Sequence, residues 1–146
     1  MAEESNKIRV RLVTPERILF EELADAVELP AKNGYMEVLY GHAPLLAELG
    51  AGDVTLHGVS GGAANLGDGT RYNVSWGFVE VLPDRVTILA NDAQVPSAID
   101  IPSAQRQLEH GHELWDKAGD SADAYADAER VINEAEAKLA SAQAKE

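Results

Sequence analysis

The chain has no cysteine, which removes disulfides and thiolate metal sites from consideration and fits a reducing, cytoplasmic setting. Aromatic residues make up only 5% of its 146 positions, so a core must be built from Val, Leu, Ile and Ala. No apolar run approaches the roughly 18 residues that a membrane-crossing helix needs. The opening stretch Met1-Ala2-Glu3-Glu4-Ser5-Asn6 is acidic and polar, unlike a signal or transit peptide. Basic residues are scarce as well: 12 Lys and Arg stand against 25 Asp and Glu, for a net charge of −13. That balance argues against nucleic-acid binding, which depends on clustered cations, and against adsorption to anionic lipid. The acid is spread out, with −8 over residues 1–102 and −5 over 103–146, as expected for a solvated surface.

Motifs of catalysis are missing too. Gly61-Gly62 and Gly67-Asp68-Gly69 lack the Lys-Ser/Thr that would make a phosphate-binding loop. Ser60 and Ser75 have no nucleophile-elbow context, and Glu21-Glu22 reads as a solvated pair rather than an acid/base couple. Of the four histidines, His110 and His112 are two apart on a predicted helix and diverge, while His42 and His57 have no carboxylate at ligand spacing. Neither a metal site nor an enzyme is expected.

What is present falls into two halves with different periods. From Lys7 to about Asn91 apolar residues recur every second position. Ile8, Val10 and Leu12 alternate with Arg9 and Arg11, the pattern of a half-buried strand. Tyr72, Val74, Trp76 and Phe78 share one phase and Val79 and Val81 the other, so a bulge is expected at Gly77. Val86, Ile88 and Ala90 follow a turn at Pro83-Asp84. Asn33-Gly34, both tolerant of positive φ, should join Ala26–Pro30 to Tyr35–Tyr40 as a hairpin, and Gly61-Gly62 and Asp68-Gly69 mark further turns. The sum is an antiparallel sandwich or barrel.

After Asn91 the period lengthens. Val95-Pro96-Ser97-Ala98 reads as an extended connector, and Asp100 as the cap of a helix with Pro102 in its first turn. Ile101, Ala104, Leu108, Gly111, Trp115 and Ala118 then follow at helical steps, with Gly111 costing that helix about 1 kcal/mol. Gly119 ends it, Asp120 with Asp123 suggests the next cap, and Tyr125, Ala128, Ile132, Ala135, Leu139 and Ala142 form a second stripe. Two narrow stripes with a short turn between them should fold back as an antiparallel pair. The expected layout is a β-sandwich over 1–91, a connector over 92–102 and a two-helix hairpin over 103–146, an α+β arrangement with the hairpin as a candidate moving part.

One segment is distinctive. Gly34-Tyr35-Met36-Glu37-Val38-Leu39-Tyr40-Gly41-His42-Ala43-Pro44-Leu45-Leu46 combines a strand with a turn in which Pro44 fixes the backbone and presents His42 at a defined angle. Together with Val13-Thr14-Pro15-Glu16, Val27-Glu28-Leu29-Pro30, Gly77-Phe78-Val79-Glu80-Val81 and Val86-Thr87-Ile88-Leu89-Ala90, it resembles the epsilon subunit family of bacterial F-type ATP synthases, counterpart of the mitochondrial delta subunit. The resemblance implies a sandwich of about ten strands bridging the gamma subunit and the c-ring as a non-catalytic part of the rotor, one copy per complex. It implies a peripheral place on the cytoplasmic face of the bacterial plasma (inner) membrane without lipid insertion. It also implies a hairpin that either lies folded or extends along gamma, transiently meets the alpha and beta catalytic subunits, and blocks ATP hydrolysis.

Carried over by position, the rotor interface toward gamma and the c-ring would involve Asn33, Gly34, Tyr35, Tyr40, Gly41, His42 and Pro44. Glu37 and Trp76 stand where that family commonly has Gly. Some members bind ATP through Ile/Leu-Asp-x-x-Arg-Ala, and here the vestige is Ile99, Asp100 and Ala104 with Ser103 replacing the arginine. A serine supplies no cation for a phosphate, and Arg106 lies nearly one turn further on, so ATP is expected to bind weakly or not at all. Two other readings fit the residues alone: a free-standing sandwich that binds a peptide or sugar, and an enzyme without familiar motifs.

Overall fold

A computed structural model describes residues 6–59 and 69–143 of the chain, with Gly69 and Thr70 described by their backbone alone. The turns expected at Gly61-Gly62 and around Asp68, and Ser60, lie outside the described residues. Two compact units divide between Ala93 and Gln94.

The first unit contains seven strands: β1 (Ile8–Val13), β2 (Ile18–Ala24), β3 (Ala26–Ala31), β4 (Gly34–Leu39), β5 (Leu45–His57), β6 (Gly69–Leu82) and β7 (Arg85–Gln94). They hydrogen-bond in the order β2-β1-β7-β6-β5-β3-β4. The pairs β1–β2, β3–β4, β3–β5 and β5–β6 are antiparallel, whereas β1 and β7 run parallel with Leu12 beside Ile88. Alternation dictates burial as expected, with Ile8, Val10 and Leu12 fully buried and Arg9 and Arg11 exposed.

Seven strands make a two-layered sandwich because the two long ones change phase. In β5 the buried positions shift from Leu49 to Gly50, Gly52, Val54 and Leu56. In β6 they shift from Val74 to Val79 and Val81, across the expected bulge. There Trp76 takes φ +59 and Gly77 φ +132. A bulge of this kind turns a strand from one layer into the other. One layer then consists of β2, β1, β7, the end of β6 and the start of β5; the other consists of the start of β6, the end of β5, β3 and β4. These nine segments come close to the ten expected. The chain also crosses between layers at Asp25, the one residue separating β2 from β3. Lys7 secures that crossing with a 2.8 Å ion pair to Asp25 and a 2.9 Å hydrogen bond to the carbonyl of Gly58. Between the layers, Phe20 and Tyr72 stack with centroids 4.6 Å apart, and burial followed by the charge of Glu22 raises the Tyr72 hydroxyl above its usual pKa.

Three boundaries differ from the sequence pattern. The β3–β4 loop is Lys32-Asn33, and Gly34 alone takes positive φ as the first residue of β4, paired with Ala31. Strand β7 runs past 91 to Gln94, because its edge positions need only backbone partners and no apolar alternation. Pro96–Ala98, expected to be extended, forms a short 3-10 turn.

The second unit is a helical hairpin of α1 (Ile101–Asp116) and α2 (Ala122–Gln143). Asp100 caps α1 by accepting from the Ser103 amide at 3.3 Å, and Gly119 takes φ +60 after the helix ends. The cap of α2 is Ser121, whose hydroxyl accepts from Ala124 N at 3.1 Å; Asp123 sits in the first turn instead of forming the box expected with Asp120. Gly111 is where the helices approach each other: a Cβ there would lie 2.7 Å from Ile132 Cγ1. The glycine costs α1 propensity and permits the crossing. At the turn end Trp115 and Tyr125 meet edge to face at 4.7 Å.

A Cβ on Gly77 would run into the carbonyl oxygen of Leu89, whereas one on Gly34 would meet nothing within 4 Å. Both glycines have positive φ, so comparing them separates backbone strain from collision. Gly34→Ala should cost about 1–2 kcal/mol by denaturant unfolding, and Gly77→Ala at least about 3 kcal/mol. Equal losses would show that the bulge tolerates the extra atom.

Candidate functional site

Strand β4 lies at the edge of the sheet, and the sequence-singled residues sit at its two ends. Asn33, Gly34 and Tyr35 are at the start; Tyr40, Gly41, His42 and Pro44 follow its end. Five residue steps of extended chain lead from Tyr35 to Tyr40, roughly 17 Å at 3.4 Å per step. The structure therefore divides these residues into two patches and does not gather them into one pocket.

Tyr35 is 64% exposed yet fixed. Its hydroxyl accepts from the amide of Asp53 at 2.9 Å, and the ring lies over Gly52, where a Cβ would collide with that hydroxyl and press on Pro30. Gly52 thus has a positioning role that no local pattern revealed. Asp53 is held in turn by Arg71 at 3.4 Å and Asn73 at 3.3 Å. An exposed aromatic side chain held in one orientation loses little conformational entropy on docking.

The second patch is also held by its backbone. Gly41 N donates to Pro83 O at 2.7 Å, tying this loop to the β6–β7 turn, and His42 N donates to Leu39 O at 3.1 Å. His42 Nδ1 donates to Ala43 O at 2.8 Å, which fixes the tautomer and leaves Nε2 for an outside group. Leu39, Tyr40, Leu45 and Leu46 surround the loop at 52%, 46%, 40% and 71% exposure. Four large apolar side chains displayed on a constrained loop are suited to protein contact rather than catalysis.

The vestigial nucleotide residues come together in the second unit. Ile99, Asp100, Ser103 and Ala104 line a depression with Gln94, Ala98, Gln107 and Lys138. Its volume is about 120 Å³, against roughly 300–1,000 Å³ for small-molecule sites. Asp100 is engaged as the α1 cap, and Lys138, the cation at the site, pairs with Glu134 at 3.0 Å. Arg106 does not line it.

Among the described residues no three His, Asp or Glu side chains are placed to hold a metal ion, and His57 instead faces Glu28 at 3.4 Å across β3 and β5. Among the same residues no helix is long and apolar enough to cross a membrane.

A sequence profile described as ATP synthase, Delta/Epsilon chain, beta-sandwich domain matches residues 7–96. The chain is 39% identical over 111 residues to the ATP synthase epsilon chain of Koribacter versatilis, covering 74% of this chain and 71% of the relative. It is 41% identical over 102 residues to that of Solibacter usitatus, covering 70% and 71%. Among solved structures, a chain of the Euglena gracilis mitochondrial ATP synthase, OSCP/F1/c-ring in rotational state 1, superposes with a TM-score of 0.73 at 22% identity, covering 92% of this chain and 81% of that one. One from the Tetrahymena thermophila mitochondrial ATP synthase central stalk and c-ring gives 0.62 at 13%, covering 95% and 98%; these two likenesses bear on the fold. The chain belongs to the ATP synthase delta/epsilon family, among its epsilon chains.

Proposed function

We propose that the chain is the epsilon subunit of the central stalk of an F-type ATP synthase, a non-catalytic rotor component that couples proton transport to ATP synthesis by bridging the gamma subunit and the c-ring. The observation that carries this reading is the family match across the sandwich, made concrete by two backbone-fixed patches at the ends of β4. In this reading the subunit is peripheral, on the cytoplasmic face of the bacterial plasma membrane, with one copy per complex. The tagged full chain should recover gamma and c subunits from solubilised membranes. Tyr40→Ala with His42→Ala should lower that recovery at least tenfold while moving the melting temperature by no more than a few degrees. Absence of both partners from the wild-type pull-down overturns the reading.

The hairpin has a regulatory place in this proposal, inhibiting ATP hydrolysis through transient contact with the catalytic subunits. Its cations make a poor electrostatic latch. Lys138 already pairs with Glu134, Arg130 stands beside Glu129, Lys145 lies outside the described residues, and exposed pairs contribute at most about 1 kcal/mol each. Ile132 is half-buried over Gly111, so Trp115, 44% exposed, is the larger apolar group on offer. Removing residues 94–146 should relieve inhibition of ATP hydrolysis in the reconstituted complex, while Arg130→Ala with Lys138→Ala should change it less than twofold. Full relief from the two charge changes alone would show that the latch is electrostatic.

Nucleotide is not expected to set the state of this hairpin. The depression beside Ser103 is small and its lysine is engaged. Calorimetry of the full chain with Mg-ATP should give no binding tighter than about 1 mM, since neither a free cation nor a preformed cavity is available. Micromolar affinity contradicts this, and Ser103→Arg should strengthen whatever residual binding exists.

A further inference from the structure

Strand β5 loses its pairing with β3 over part of its length, and a side chain of β4 fills the gap. The register places Glu28 beside Thr55 and resumes at Ala31 beside Leu49, so that Leu29 and Pro30 stand against residues 50–54. Pro30, within that interval, has no N–H to donate. On its other side β5 stays in register with β6, with Gly52 beside Val74 and Asp53 beside Asn73. The Asp53 amide, outside the β3 ladder, donates at 2.9 Å to the Tyr35 hydroxyl. A side chain of the edge strand thus takes the place of a backbone acceptor.

The same peptide group is held from behind. Gly52 O and Asp53 N belong to one planar unit, and that carbonyl accepts from Asn73 Nδ2 at 3.4 Å. Asn73 Nδ2 also donates to Asp53 Oδ1 at 3.3 Å, and Arg71 Nε stands 3.4 Å from Asp53 Oδ2. A donor on the carbonyl and an acceptor on the N–H of one peptide polarise it in the same sense, which strengthens both bonds. Planarity passes position along as well: tilting the carbonyl moves the N–H, and with it the hydroxyl that it holds. Space at the hydroxyl is closed, because a Cβ on Gly52 would collide with it and press on Pro30. One end of this relay is buried and the other is on the surface, since Asn73 is 1% exposed. The gap in the ladder needs only an acceptor, which a water or a short polar side chain would supply. What tyrosine adds is a large ring at the surface, held in one orientation. Such a ring docks without the rotamer entropy that a freely turning one would lose.

Building on the rotor reading above, we propose that Asn73 is a positioning residue for docking: acting through the Gly52–Asp53 peptide, it fixes Tyr35 in the orientation that the rotor partners meet. Asn73 is buried and touches no partner itself. Arg71 supports it by holding the Asp53 carboxylate, and Gly52 supports it by leaving room for the hydroxyl. The relay starts on β6 and ends on the edge strand β4, passing β5 and β3 in the sheet order. Loss of one buried amide is therefore felt at the edge of the sheet, where the chain meets its surroundings.

Amide hydrogen exchange of the full chain, together with its pull-down of gamma and c subunits, tests this. Asn73→Leu keeps the side chain's size and removes its donor. Exchange of the Asp53 amide should speed up about tenfold or more in Tyr35→Phe and in Asn73→Leu. Amides of β1 should keep their wild-type rates, which a general loss of stability would not allow. Recovery of the two partners should fall about fivefold or more for Asn73→Leu, Gly52→Ala and Tyr35→Ala alike. Asn73→Ser, with a shorter side chain, takes the place of Asn73→Leu if melting curves show that variant unfolded. A folded Asn73 variant that recovers the partners as well as the wild type overturns the positioning role and leaves the rotor reading standing. An Asp53 amide that exchanges no faster in Tyr35→Phe overturns the relay. A wild-type chain that recovers neither partner overturns the rotor reading, and the docking role of Asn73 with it.

Discussion

The contact on which the sandwich depends is the close approach of Gly77 to the carbonyl of Leu89. At this point β6 leaves one layer and enters the other, and no side chain fits between it and β7. Trp76, just before it, is the sole non-glycine residue with positive φ among the described residues, in a region that costs an ordinary residue about 1–2 kcal/mol. Here the surrounding strands over-determine the bend, and the tryptophan follows. Every feature downstream of the bend uses it: the burial of Val79 and Val81 on the core side, the outward turn of Phe78 and Glu80, and the turn at Pro83-Asp84 that accepts a hydrogen bond from Gly41.

In the proposed role, that last link connects fold to function. The loop carrying His42 is attached through Gly41 to the carbonyl of Pro83, so its position is set by the β6–β7 hairpin and not by its own residues alone. Tyr35 is likewise placed by Gly52 and Asp53 of another strand. Both patches are preformed by long-range contacts, which removes much of the ordering cost on binding.

Local periodicity is what the sequence made legible. Ile8, Val10 and Leu12, the bulge at Gly77, the Asp100 cap and both helical stripes follow from spacings within one element. Contacts made by residues far apart in the chain were not legible. Nothing near Gly52 indicates that Tyr35 lies over it, and Arg9 and Arg85 meet only because β1 and β7 pair in parallel. The phase change in β5 was hidden because Leu45, Leu46, Ala47 and Leu49 are all apolar, so either phase would look buried. Ser121 does not stand out as a cap in the sequence, because Asp120 and Asp123 make an equally good pattern.

The two units differ in how they hold together, and this bears on which one can rearrange. The sandwich core is made mainly of buried Val, Leu and Ile side chains from six of the seven strands, with Phe20 and Ala24 supplied by β2. The hairpin buries Ala104, Gly111, Ala128, Ala135 and Ser141, small groups that allow the backbones to approach and offer little apolar area. At roughly 0.8 kcal/mol for each buried methylene, alanine contacts supply a fraction of what a Leu or Val core supplies. Helices held mainly by close approach separate or slide at low cost, because no large side chain must leave a fitted pocket. The one large aromatic contact, Trp115 on Tyr125, sits at the turn, where it holds the two helices at their joined end and leaves their far ends less constrained. In the proposed role, a hairpin built on small residues and pinned at its turn can change its packing while a Val- and Leu-filled sandwich stays fixed to the rotor.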